Sequence, residues 1–178
     1  MKLFIQKFFN VLLIILLTGI GFFITPSYSP VLAEGVDPYV RRYLASEPVD
    51  LPADNQGQTQ QFTPEDLTTG KTLFEASCLN CHAGGVTIPY PAVSLSLEDL
   101  KAATPARDNI KELVNYFRYP ISFDGSDTNY WCREIPETWL PQAEAEKLAA
   151  YIIRSGEVIP SWGKMRDANE LPPEFRGI

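Results

Sequence analysis

Cys78-Leu79-Asn80-Cys81-His82 is the stretch on which the reading of this chain turns. Two thiols stand one helical turn apart and a histidine follows the second directly. That spacing lets two cysteines add to the two vinyl groups on one edge of a porphyrin, while the histidine beside them faces the iron. Two other uses of the pair fit less well. A redox disulfide of the thioredoxin kind wants a βαβ context, and no such alternation surrounds residues 78–82. A zinc site would need Cys81 and His82, adjacent in sequence, to reach one tetrahedral ion together with Cys78 and Cys132, and no second close-spaced pair exists. The expectation is therefore one haem c, held covalently by Cys78 and Cys81, with His82 as an iron ligand.

Working outward, Thr63-Pro64-Glu65-Asp66 is a helix start: a hydroxyl N-cap, proline at the first position and acids in the first turn. The helix runs to about Leu79 and puts Leu67, Gly70, Phe74 and Ser77 on roughly one face. A glycine there suits close approach to the last helix, with Phe74 and Tyr151 filling the junction. Upstream, Asp37-Pro38 caps a turn through Leu44, and Asp54–Gly57 marks a hairpin between Val49 and Phe62. Downstream, Ser96 opens a short helix to Ala103. Another follows Asp108, with Ile110, Leu113, Val114 and Phe117 at helical spacing and Pro120 as its stop. The last runs from Pro141 to Arg154, with Leu148, Ala149, Ile152 and Ile153 on its apolar side and Gly156 as its C-terminal cap. The expected fold is all-α: about four helices, an N-terminal hairpin and a proline-rich C-terminal tail. A large buried cofactor supplies core that the long connections lack.

The chain has 178 residues, of which 45% are hydrophobic and 21% charged, an ordinary globular composition. Lys2 and Lys7, the apolar run Val11–Ile24, and Val31 and Ala33 before Glu34 read as a cleaved export signal. The expected division is a signal at 1–33, an extension with the hairpin at 34–62, the main domain at 63–156 and a tail packed on it at 157–178. The 15 Lys and Arg residues less Lys2 and Lys7 leave 13 against 22 acids, so the mature charge is −9. That balance excludes nucleic acid and anionic lipid as partners, since both need a positive face.

His82 is the only histidine, so the chain supplies no second histidine ligand. The candidates for the other side of the iron are Cys132, Met165, Tyr130, a lysine or an open position. Met165 is the only methionine beyond the signal and lies in the tail. Cys132 lies in the loop before the last helix, where the distal ligand of a small cytochrome usually sits. It is also the cysteine left over once two thioethers form. Cys132 is the favoured ligand, with Arg133 beside it to lower the thiol pKa. The second ring nitrogen of His82 needs a partner too, expected at a backbone carbonyl near Pro89 or Pro91.

The segment Thr63–Phe123 resembles the cytochrome c-550 family of cyanobacterial photosystem II. The resemblance rests on Gly70–Phe74, the Cys78–His82 motif, Gly84-Gly85 and above all Thr104-Pro105-Ala106-Arg107-Asp108-Asn109-Ile110. Pro160-Ser161-Trp162-Gly163-Lys164 is similar to the family's tail. The photosystem subunit carries histidine on both faces of its iron, whereas Trp131-Cys132 occupies the corresponding region here, so the likeness is nearest to the family's c-550-like paralogues. It implies a class I-like small monohaem cytochrome c of the thylakoid lumen, peripheral to the membrane through protein contacts. The implied partner is photosystem II or another lumenal redox protein. The function expected is low-potential electron transfer rather than catalysis. A structural role on the lumenal face of photosystem II and a haem sensor or enzyme with a labile sixth site are the alternatives.

Overall fold

Helix α1 (Pro64–Ser77) carries the whole arrangement, because it ends where the cysteine motif begins. In the computed structural model, which describes residues 35–88 and 93–164, its start is fixed by a reciprocal capping box. Asp66 N–H donates to Thr63 Oγ1 at 3.2 Å and Thr63 N–H donates to Asp66 Oδ2 at 3.0 Å. Cys78 is the C-terminal cap, its N–H donating to Phe74 O at 2.8 Å. The expected signal and its cleavage site lie outside the described residues, as does the tail from Met165 onward.

Strands β1 (Val49–Pro52) and β2 (Thr59–Phe62) pair antiparallel with Val49 opposite Phe62. The Asp54 carboxylate accepts the N–H groups of Gln56 and Gln58 in the turn between them. Ahead of the hairpin, a wide turn of π type spans Val40–Leu44. Asp37 Oδ1 accepts the N–H groups of Tyr39 and Val40 at its start. Helix α2 (Leu97–Ala102) starts at the Ser96 cap. Helix α3 (Ile110–Arg118) is capped by Asn109, whose side chain accepts Glu112 N–H. Asn109 Nδ2 donates to Asn55 Oδ1 at 2.8 Å, which ties the hairpin turn to α3.

Helix α4 (Gln142–Val158) crosses α1 at Gly70. A Cβ at Gly70 would stand 2.1 Å from Lys147 O, so no other residue permits this approach. One turn on, Phe74, Tyr151 and Trp162 form a buried aromatic cluster with ring centroids 5.4–5.8 Å apart. Trp162 comes from the segment after α4, and its indole N–H donates to Leu95 O at 3.0 Å. Two expectations need correction. Ser77 is exposed rather than on the buried face, because crossing helices diverge and α4 no longer covers that turn. Gly156 lies inside α4, not at its cap: the helix runs on to Val158. A Cβ at Gly156 would meet Leu97 Cγ at 2.9 Å, so the glycine serves the contact between α4 and α2, at a helix-propensity cost of roughly 0.5–1 kcal/mol. No described helix is long and apolar enough to cross a membrane.

Candidate functional site

The segment after α1 is wound into consecutive tight turns by its own backbone. The N–H groups of Cys81 and His82 donate to Cys78 O at 3.1 and 2.9 Å, Gly85 N–H to His82 O, and Ile88 N–H to Cys81 O. Gly84 and Gly85 have φ of 60° and 81°, the left-handed region that favours glycine. At Gly85 a Cβ would also fall 2.7 Å from Trp162 Cε2, and Gly163 N–H donates to Gly84 O at 2.9 Å. The glycine pair therefore turns the motif back against the segment that carries Trp162.

His82 is half-buried, and that burial holds its pKa below the ordinary histidine value. Its Nδ1 lies 3.0 Å from Thr87 Oγ1, and Thr87 Oγ1 donates to Val93 O at 2.5 Å. A hydroxyl has a single proton. With that proton on Val93 O, Thr87 accepts from Nδ1–H, and the Nε2 lone pair of His82 is the one left for a metal. The expected carbonyl partners at Pro89 and Pro91 lie outside the described residues.

Cys132, half-buried, lies near the motif. Burial pushes the Cys78 thiol up to about 11, and the nearby Cys132 and Cys81 thiols add to the shift. Cys132 is itself raised by burial, against a hydrogen bond from Tyr116 and the charge of Arg107. The cation beside this thiol is thus Arg107. Arg133, expected in that role, instead places its guanidinium 5.5 Å from the Trp139 ring centroid. Sequence adjacency in a loop does not set side-chain direction; packing does.

Asn129 organises the Cys132 loop. Its Nδ2 donates to Tyr116 Oη at 2.8 Å, while its Oδ1 accepts the N–H groups of Trp131 at 3.0 Å and Cys132 at 3.4 Å. The Arg107 guanidinium lies 4.0 Å from the Tyr116 ring centroid, and its Nη2 donates to Ile121 O and Ser122 O. Tyr130, another ligand candidate, is 84% exposed, and Met165 is outside the described residues. A cavity of about 390 Å³ between Tyr39, Phe74, Tyr151 and Trp162 reaches Leu79 of the motif and Ala83 and Gly84 just after it. None of the three cysteines nor His82 lines it. The groups that fit a haem c are two thiols at attachment spacing, an imidazole with Nε2 free, and a third, half-buried sulfur near them.

A family model described as the cytochrome c-550 domain matches residues 42–169, which include every one of these groups. The chain belongs to the cytochrome c-550 family. Over 153 residues it is 51% identical to a cytochrome c-550-like protein of Thermosynechococcus vestitus, covering 85% of each chain. It is 49% identical over 124 residues to photosystem II extrinsic protein V of Gloeobacter violaceus, covering 69% of this chain and 67% of that one. The crystal structure of the PsbV2 cytochrome from Thermosynechococcus elongatus superposes with a TM-score of 0.71 at 53% identity, over 72% of this chain and 99% of that one. The fold is that of a small cytochrome c, and membership of a c-type cytochrome family implies covalently bound haem c.

Thr87, Tyr116 and Asn129 were not legible as site residues. Arg107 enters the sequence reading only through the Thr104–Ile110 resemblance. The sole local signal is Asn129, whose short amide three residues before Cys132 suits a side-chain-to-backbone turn.

Proposed function

We propose that this chain is a low-potential electron-transfer cytochrome holding one haem c through thioethers at Cys78 and Cys81, with His82 and Cys132 as axial ligands. The observation that carries the reading is a half-buried Cys132 close to Cys78 and Cys81, with Arg107 beside it. When bound, the haem supplies reversible one-electron exchange at its iron. The chain's part is to hold it and bias it. Cys78 and Cys81 anchor one edge. Thr87 fixes the tautomer and tilt of His82. A thiolate from Cys132 favours the ferric charge and lowers the potential within the roughly 0.8 V that axial ligands span. No catalytic role is proposed.

Kinship with photosystem II extrinsic protein V supports a place in the thylakoid lumen, peripheral to the membrane, with photosystem II or another lumenal redox protein as partner. The same kinship favours the second reading, an extrinsic subunit whose haem chiefly holds the fold. The ferric electron paramagnetic resonance spectrum tests the ligation: a low-spin thiolate signal is expected, and a bis-nitrogen, methionine or high-spin signal overturns it. Copurification with photosystem II distinguishes the structural reading from the carrier.

A further inference from the structure

We infer that the loop running through Cys132 is the docking face for a redox partner that surrounds an apolar patch with lysine and arginine. This rests on the electron-transfer reading above and gives the chemistry of the partner. Tyr119, Tyr130, Trp131 and Trp139 are 74%, 84%, 89% and 64% exposed. Large aromatic side chains normally lose most of their surface on folding, and a group of them left outside marks an interaction site. Trp162 follows the usual rule and is buried.

The fold brings the segments that carry the four together. Asn129 N–H donates to Pro120 O at 3.0 Å, which lays the segment of Tyr130 and Trp131 beside that of Tyr119. Ile135 N–H donates to Phe117 O at 2.8 Å, and the Arg118 guanidinium donates to Ile135 O and Leu140 O. Trp139 is thereby tied to the same end of α3, with the Arg133 guanidinium over its ring. Aromatics held on a hydrogen-bonded backbone lose little freedom on binding, so they serve well as anchors. Charge then selects the partner. Residues 119–139 contain Asp124, Asp127, Glu134 and Glu137, all exposed, against Arg133 as the one cation. Among the described residues none of these four carboxylates forms an ion pair. An aromatic centre with acidic surroundings attracts a basic rim and repels an acidic one. Trp131 adjoins Cys132, so a partner seated here lies against the segment that carries the proposed ligand.

The test is stopped-flow oxidation of the haem-loaded ferrous protein by a lysine-ringed ferric cytochrome c of the mitochondrial type. One electron passes from one iron to the other, and no bond is made or broken. The second-order rate should fall roughly tenfold between about 10 mM and about 150 mM salt, as screening shortens the reach of the charges. Glu134→Lys with Glu137→Lys should slow the low-salt reaction roughly tenfold. Glu47→Lys with Asp50→Lys, the same change in net charge at the N-terminal hairpin, should slow it far less. Trp131→Ala with Trp139→Ala should weaken the complex roughly tenfold and leave its salt dependence unchanged. Hydroxyl-radical footprinting should oxidise both tryptophans in the free haem-loaded protein and spare them in the complex. If the tryptophan variant does not mature, the charge variants and the wild-type footprint decide. Equal slowing by the two charge pairs, or unchanged rates in both face variants, overturns the docking face. So does protection of both tryptophans in the free protein, whether by the haem or by a second copy of the chain. A wild type that passes no electrons to the carrier overturns the electron-transfer reading, and the docking face with it.

Discussion

On the His82 side of the candidate site, the proposed ligand, both proposed attachment points and Thr87 come from residues 78–88, held largely by hydrogen bonds within that stretch. On the Cys132 side, Arg107, Tyr116 and the Asn129–Cys132 segment arrive from three separate parts of the chain and meet only through packing. The first side is a consequence of spacing along one turn. The second depends on α3 being seated against α4 and on the loop after Pro120 folding back across α3. A locally built half tolerates loss of its surroundings; a non-locally built half does not. Attachment should therefore be robust and the sixth ligand sensitive.

The largest expected effect breaks the local half outright. Changing Cys78 and Cys81 together to alanine should abolish covalent retention, so that haem passes wholly into acid–acetone. Wild-type haem should stay with the protein. Retention in the double variant would mean the motif is not the attachment point.

Next comes the non-local half. Cys132→Ser should remove the sulfur-to-iron charge-transfer band and raise the potential, because a neutral ligand no longer favours ferric iron. Cys132→His should move the spectrum toward a bis-histidine state, and Met165→Ala should change neither. A spectrum altered by Met165→Ala and untouched by Cys132→Ser would transfer the ligand role to the tail.

A smaller effect sharpens the contrast. Thr87→Val removes the acceptor of His82 Nδ1–H and leaves that N–H buried without a partner, which costs about 1–3 kcal/mol. The imidazole then donates less to iron, so the potential should rise modestly, and Thr87→Ser should restore it. Chemical denaturation and a potential titration of the three proteins check this. Equal stability and potential in Thr87→Val would remove Thr87 from the site.

The smallest effect lies at the start of α1, the helix that delivers the motif. Burial alone would raise the Asp66 pKa. The Thr63 N–H and the Lys147 ammonium, 2.9 Å away, outweigh it and leave the carboxyl below its ordinary 3.8. A group lowered on folding stabilises the protein above its unfolded pKa and loses that contribution as pH falls through the folded value. Stability should therefore hold from neutral pH down to about 4 and decline below it. Asp66→Asn should remove part of that decline and cost about 0.5–2 kcal/mol at neutral pH, the usual value of a cap. A wild-type stability that does not fall below pH 4 would show that the carboxylate contributes nothing.

The sequence by itself determined whatever rests on short spacing. The Thr63 cap, the hairpin about Asp54, the apolar face of α4 and the Gly70 crossing are each fixed by residues a few positions apart, or by one that only glycine can fill. The Cys78–His82 spacing belongs to the same class: five consecutive residues suffice to state the attachment expectation. Tertiary structure decided the rest. It carried α4 through Gly156 because Leu97 packs there, and it took Ser77 out of the buried face because two crossed helices diverge. It also set Arg107 rather than Arg133 beside Cys132, and brought Asn129 to both the Tyr116 hydroxyl and the Cys132 backbone N–H. The physical reason is the range of the forces. Backbone hydrogen bonds and turn preferences act over a few residues and are written in local sequence. The direction of a side chain in a loop is fixed by what packs against it, and those neighbours become adjacent only when the chain has folded.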